Sequence, residues 1–503
     1  MKRIISLILL LLFCSAAFSC AQDPRGSGGS VTADGDELNP GAEDTADPLP
    51  DTVKYYEPDK LPDDIGFGGE TVTVLSVSEP HFAGDILVEE LTSDPVNDSV
   101  FNREKYVEDR LGVEIEGVTV STGEFNNVVT LQSASDDNDY QILAGSTVWY
   151  TPIVFDDLVT DLYEVDYLDF SAPWWSGRFA SEAEMGGRLF FITGSLALST
   201  NRFLIATFYN KKLAEDYKSS YPDLDDLYTL VDEGKWTVDR LMSISSEIFV
   251  DMDGDSESGP DDLYGFGIVR DYPIDAVWSS FDMRILGRDE DGWFELDLNQ
   301  EKIFSVLEKM KTLLFGCRGS YPKEGDQAVL ESKFAGGTLL FMIGQLKSAE
   351  TADLRNMQDD YGLVPFPKYD EEQSEYYTFA HDQYISFSIP RTNPSPDTAG
   401  AVLEAMASYA YRDTIPKYLD TVIKGKYMSD AKSRRMVDLI VDGFRMDAGW
   451  IYSSKIGYFA QTFREAVMDN SDSYASSYTK TYNVAKIALK DLKAKYSVLW
   501  SKD

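Results

Sequence analysis

Between Asp251 and Asp262 the chain reads DMDGDSESGPDD, half of it acidic. A hard divalent cation wants six to eight oxygens, and a twelve-residue loop supplies them from positions 1, 3, 5, 7, 9 and 12. Counted from Asp251, these are Asp251, Asp253, Asp255, Glu257, Gly259 and Asp262, with Asp261 competing for the last place. The front of the loop matches a calcium site. The back departs from it: Ser256 stands where glycine usually makes the sharp turn, and Asp262 where a longer glutamate usually chelates. The residues fit either a structural Ca2+ or a solvated acidic turn. No organic cofactor is indicated. With only two histidines, His81 and His381, a His-rich zinc site is excluded and a Ser-His-Asp triad has few ways to form.

The elements around this loop read as α/β. ETVTVLSVSE (Glu70 to Glu79) is a nearly continuous apolar strand. A helix follows in DSVFNREKYVEDRLG, with Gly112 fitting its C-cap. Then come the strand VEIEGVTV, a helix over about 123–134 and the strand DYQILAGST. This β-α-β-α-β order is that of a parallel sheet with crossover helices. Downstream, WTVDRLMSISSEIFV reads as a helix with Thr237 as N-cap, and EKIFSVLEKMKTLLFG as a second. GTLLFMIG and QYISFSIP read as strands, and from Asp397 onward the chain is mainly helical. The acidic loop therefore joins a helix to the strand LYGFGIV. That context does not match a helix-loop-helix that opens on binding.

The 503 residues are 43% hydrophobic and 13% aromatic, enough for two lobes and for aromatic rings beyond the needs of a core. A net charge of −41 argues against nucleic acid and against an anionic lipid surface as direct partners. At the N-terminus, Lys2 and Arg3 precede the apolar run Ile4 to Phe13, which is too short to span a bilayer and reads as a signal peptide, 1–19. AAFSC, ending at Cys20, resembles a bacterial lipobox with Ala17 where leucine is typical. Lipidation of Cys20 and an ordinary cleaved signal are the two readings. Residues 20–55 are rich in Gly, Asp, Ser and Pro and read as a flexible tether.

Several segments, in order, resemble the extracellular solute-binding proteins of ABC sugar importers, the maltose-binding-like family. They are DYQILAGST, FSAPWWSGRF, GGRLFFITGSLAL, LIATFYNKKL with Tyr209-Asn210-Lys211, LYTLVDEGKWTVDRL, FAGGTLLFMIGQL, DYGLVPFPKYDEEQSEYY and AHDQYISFSIPRTNPSPDTAGAVLEAM. Together they cover roughly Glu70 to the C-terminus. The resemblance implies a two-lobe periplasmic-binding-protein-like fold, each lobe a mainly parallel sheet flanked by helices, with hinge crossovers and a helical C-terminal part. It places lobe 1 at 56–197 and 381–445 and lobe 2 at 198–380 and 446–503. It also implies a non-enzymatic, monomeric receptor, exported and lipid-anchored to the outer face of the bacterial cytoplasmic membrane. Such a receptor captures a sugar or oligosaccharide by lobe closure and delivers it to the permease subunits of an ABC importer. A secreted carbohydrate-active enzyme and a calcium-dependent surface glycan-binding protein are the alternatives. The first needs a positioned carboxylate pair and the second several calcium loops; neither pattern stands out.

Sugars present hydroxyl rims and apolar faces, so their sites combine flat rings with carboxylates and amides. Open α/β sheets hold ligands beyond the carboxyl ends of their strands. The candidates are Glu79, His81 and Phe82 after the first strand; Ser146 and Trp149 after the third; and Trp174 and Trp175. From the second lobe come Tyr272, Trp278 and Asp282, and Gly344 and Gln345. His381 and Asp382 lie at the crossover, and Asp447 and Trp450 in the tail. Trp278 and Trp450, among Ser, Asp and Gly, are the expected stacking platforms.

Overall fold

The computed structural model describes residues 57–135, 137–321, 326–423 and 431–500. Two sheets organise them. In the first, strand Glu70–Val77 lies between Val113–Val120 and Ile142–Ser146, parallel to both, with Glu70 opposite Val113 and Val74 opposite Ile142. Ile385–Ser388 joins the far edge antiparallel to Ile142–Ser146. Val72, Val74, Leu75 and Val77 are all buried, which is why this strand lacks an alternating pattern: helices cover both of its faces. Helix Pro95–Leu111 connects the first two strands. The Asp94 side chain caps it by accepting from Val96 N and Asn97 N, and Gly112 closes it in the left-handed conformation at φ 60°.

The second sheet runs Tyr361–Pro365, Ile205–Asn210, Leu339–Gln345, Leu263–Gly267 and Phe249–Val250. Only Leu263–Gly267 and Leu339–Gln345 pair parallel. The expectation of a mainly parallel sheet thus holds for the first sheet, while the second is mixed. The cause is the crossover. Ile205–Asn210 carries the chain into this sheet and Tyr361–Pro365 leads it out, so as neighbours they run in opposite directions. Helix Val238–Ser245, capped by Thr237 as the sequence predicts, is shorter than expected and gives way to Phe249–Val250.

Three chain passages lie side by side between the sheets. Ile205 N donates to Phe379 O (2.8 Å) and His381 N to Phe203 O (3.0 Å); Thr378 N donates to Gly443 O (2.8 Å) and Arg445 N to Thr378 O (3.0 Å). The expected 381–445 segment is divided between the two sheets. Helix Pro396–Tyr409 packs on Pro95–Leu111, whereas Ala431–Asp442 packs on the second-sheet strand Tyr361–Pro365. The tail braces both sides. Helix Phe459–Met468 packs on Gln300–Lys311. The terminal helix Tyr474–Leu499 reaches back so that Tyr496 Oη donates to Phe155 O (2.5 Å), and Trp500 stacks on Trp293 at 5.6 Å. Gly186, at φ 59°, admits this approach, since a Cβ there would meet the Trp293 ring at 2.8 Å.

Candidate functional site

Both sheets point strand ends at the crossing segments. On the first, Glu70–Val77 leads to the 3-10 turn Pro80–Phe82. Glu79 accepts from Thr122 N (2.6 Å) with one oxygen; the other has no partner among the described residues. Against its burial, the Thr122 hydrogen bonds hold this carboxyl below its usual range. The His81 ring lies 4.1 Å from Phe82 and 5.8 Å from Phe203, with Nε2 buried and unpartnered. The strand Ile142–Ser146 ends in the turn Thr147–Trp149. Its Thr147 N donates to Tyr384 O and its Val148 N to Asp382 O, so the crossover is stitched to this turn and Trp149 is left 47% exposed.

On the second sheet, Leu339–Gln345 runs toward the hinge, where Leu346 N donates to Leu204 O. The following turn presents Lys347, with its ammonium 4.8 Å from the Phe203 ring centre, and Glu350, paired to Arg202 at 3.1 Å. From the parallel strand Leu263–Gly267 the chain reaches Tyr272, whose ring sits 4.4 Å from His381. Asp275, buried, pairs with Arg464 of the tail at 2.7 Å. Pro80, His81, Arg202, Tyr272, Glu331 and Lys347 line a recess of about 540 Å3 between the two sheets, within the range of small-molecule sites.

The charges here are desolvated. Burial pushes Asp382 up to about 6 against the pull of Arg464. Burial, then the charges of Lys347 and Arg464, pushes His381 down to about 3, so this imidazole is neutral at physiological pH. Burial also raises Asp275 well above the ordinary carboxylate range despite Arg464. Flat rings, neutral imidazoles and carboxyls in a recess reached from both sheets can hold a polyhydroxylated ligand by stacking and edge hydrogen bonds.

Of the residues expected from sequence, His81 and Tyr272 line this recess, His381 packs on Tyr272 with Asp382 beside it, Trp149 sits on the turn bonded to the crossover, and Glu79 lines a neighbouring pocket. Others do not reach it. Trp278, on helix Ala276–Ser280, is fully buried between Phe459 and Phe463. Trp450 is buried against Phe379. Their small polar neighbours suggested loops, but both sit on short helices that the tail covers, so neither is an open platform. Trp174 and Trp175 are buried too, and Trp175 Nε1 donates to Glu404 (2.8 Å). Phe82, Ser146 and Gln345 are buried, Gln345 within its strand. Asp282 pairs with Arg445 (2.6 Å) in a separate recess beside Arg178 and Tyr377. Asp447 caps the turn Ala448–Ile451 through Gly449 N, and burial and Glu182 raise it to about 7. Lys347, Arg464, Arg202 and Glu331 escaped the sequence reading. Lys347 had an available signal, lying two residues beyond the strand end at Gln345.

The acidic loop lies at the opposite end of the strand Leu263–Gly267. One carboxylate oxygen from each of Asp251, Asp253 and Asp255 falls within 4.8 Å of the others. Gly254 N and Ser256 N donate to Asp251, Asp255 N to Asp253, and Glu257 N to Asp255. Ser256 takes the left-handed turn itself, at φ 66°. The expected back half does not join this group. Glu257 lies outside it, and Asp262 turns inward to accept from Met252 N (2.9 Å) and Gly259 N (2.8 Å). The loop joins two paired strands, Phe249–Val250 and Leu263–Gly267. Behind it, Lys333 donates to Pro260 O (2.9 Å) and to Asp262 O, and burial lowers its ammonium to about 8. Although Asp255 N donates to it, the Asp253 carboxyl is raised by desolvation and by the charges of Asp255, Asp262 and Asp251.

Cys20, the signal segment and the tether fall outside the described residues. No described helix is long and apolar enough to cross a membrane.

No protein-family model and no curated protein matches the chain. Solved structures do. The GacH receptor of Streptomyces glaucescens, solved unliganded and with acarbose, is 15% identical, covers 84% of this chain and 99% of its own, and gives a TM-score of 0.53. The sugar-binding protein MalE from Xanthomonas citri is 11% identical over 86% of this chain and 100% of its own, with a TM-score of 0.55. The cyclic alpha-maltosyl-1,6-maltose binding protein of Arthrobacter globiformis is 13% identical over 84% and 100%, with a TM-score of 0.55. At these identities the likeness establishes the architecture: the chain has the two-lobe fold of periplasmic binding proteins, with its cleft between the two sheets.

Proposed function

We propose that this chain is the substrate-binding component of an ABC importer, capturing a sugar or oligosaccharide between its lobes and handing it to a membrane permease. The observation behind this reading is the recess where the two sheets meet at the crossing segments, lined by His81, Arg202, Tyr272 and Lys347, with Asp382 on the crossover beside His381 and Trp149 exposed on the turn that hydrogen-bonds to the crossover. Closure draws binding energy from both sides and turns about the 203–205, 378–381 and 443–445 passages. No catalytic step is needed. That one structure of similar fold is solved in complex with acarbose and another is of a cyclic alpha-maltosyl-1,6-maltose binding protein supports the ligand class.

Lipidation at Cys20 would keep the receptor beside its permease on the outer face of the cytoplasmic membrane, as a monomer. A Ca2+ between Asp251, Asp253 and Asp255 would relieve their mutual repulsion and stiffen the edge of the second sheet. Lobe 1 comprises the first sheet with helix Pro396–Tyr409. Lobe 2 comprises the second sheet with helix Ala431–Asp442. The test is a panel of mono- and oligosaccharides read by thermal shift and tryptophan fluorescence on the mature chain. Saturable stabilisation by a saccharide is expected; a panel without any shift would overturn the reading.

A further inference from the structure

The recess is electrically unlike the rest of a chain carrying −41. Its carboxylates are matched. Glu350 takes hydrogen bonds from Arg202 Nε (3.1 Å) and Tyr418 Oη (2.9 Å). Glu331 accepts from Ser348 Oγ, and burial raises its carboxyl toward the neutral form. Beside the recess, Asp275 pairs with Arg464, which also lies 3.8 Å from Asp271. Lys347 makes no close ion pair; Glu331 and Glu350 act on it only from beyond salt-bridge distance. Among the described residues its ammonium has no hydrogen bond or ion pair, only the Phe203 face at 4.8 Å. Burial, outweighing the pull of Glu331 and Glu350, lowers it from its usual range. Across the recess stands His81, lowered by burial and by Lys347, with its buried Nε2 also unpartnered.

A half-buried ammonium without a hydrogen-bond partner keeps its donors free for a ligand, and a neutral imidazole can donate from Nε2. Both donors face one recess, lined by His81 and Lys347 together. We propose that this recess receives the carboxylate of an acidic saccharide, a uronate unit, held between Lys347 Nζ and His81 Nε2. This rests on the saccharide-binding reading above and assigns the class of sugar. A monoanion suits the balance, because one ammonium lacks a close pair while Glu331 and Glu350 line the same recess and would repel a dianion such as a phosphate. A sulfate ester shares the monoanionic oxygen chemistry, and the experiment separates it.

The mature chain is titrated calorimetrically with uronate oligosaccharides, with their neutral methyl esters and with sulfated oligosaccharides. The free acid is expected to bind at least about tenfold more tightly than its ester, roughly the worth of one charge-assisted contact. Lys347→Met is expected to abolish that preference, so that acid and ester bind alike, with the fold retained by circular dichroism; Lys347→Arg is expected to retain most of the preference. Equal affinity for acid and ester, or a preference that survives Lys347→Met, overturns the charge assignment while saccharide binding stands. Binding of only the sulfated sugars reassigns the recess to a sulfate ester and overturns the uronate. Binding of no saccharide overturns both the assignment and the reading beneath it.

Discussion

The strand Leu263–Gly267 has acidic chemistry at both ends, and the ends are built differently. At its start, Asp251, Asp253 and Asp255 crowd at the surface, and loop amides supply their hydrogen bonds. At its finish the chain runs on to Tyr272, which lines a recess shared with the other sheet, and to Asp275, buried against Arg464; the carboxyls lining the recess, Glu331 and Glu350, are held by side chains from other segments. A dense exposed cluster satisfied by its own backbone organises its own loop. A set of charges and rings drawn from distant segments is poised for something that enters from outside. The more conspicuous end is therefore the structural one.

The largest effect should come from a residue that only resembles a site. Trp278→Ala is expected to cost about 3–5 kcal/mol of stability, the usual result of emptying a buried aromatic site, read as the urea midpoint. A loss of ligand affinity at unchanged stability would return Trp278 to the cleft. Acidity comes next. Asp382, raised to about 6, holds more protons folded than unfolded between about pH 4 and 6. Its contribution to stability therefore falls as pH rises through that window and is lowest above it, by about 2–3 kcal/mol for a shift of this size. Asp447 and Glu404, each raised by burial to about 7, act with the same sign, while His381, lowered to about 3, acts with the opposite sign up to about pH 6.5 and offsets part of the fall. Urea melts should show a more stable protein near pH 5 than near pH 7, with Asp382→Asn flattening part of the difference; a steady rise from pH 5 to 7 would contradict the burial of these groups. Trp149→Ala should weaken saccharide binding by about 2 kcal/mol, roughly thirtyfold, with stability unchanged, as expected when an exposed ring is a binding contact. The smallest effect belongs to the other end of the strand. A chelator, or Asp253→Asn, should lower the melting temperature by a few degrees and leave saccharide affinity within about twofold. Lost affinity at constant melting temperature would erase the distinction between the two ends.

The first sheet, its helix and the strand ends were legible because hydrophobic runs and caps are local signals: Gly112 and Thr237 do in the structure what their residue types favour, whereas the helix begins earlier than its sequence pattern, at Pro95 behind the Asp94 cap. The mixed second sheet was not, since strand direction there follows from where the chain crosses between lobes, a long-range property. Glu79, Trp149, Tyr272 and Asp382 could be picked out because a strand end or a crossover predicts a loop at the cleft. Trp278 and Trp450 could not be placed, because what covers them is a tail that returns from well over a hundred residues beyond Trp278 and from within ten of Trp450. Arg464 was hidden for the same reason: it reaches the cleft from that tail to pair with Asp275.

The central claim is that the recess between the sheets is a saccharide site independent of the acidic loop. Calorimetric titration of the mature chain with saccharides, repeated in chelator and with Trp149→Ala, tests it most directly. One ligand per chain is expected, with affinity unaltered by the chelator and reduced at least about tenfold by the substitution. Binding that vanishes with the chelator and ignores Trp149 would contradict it.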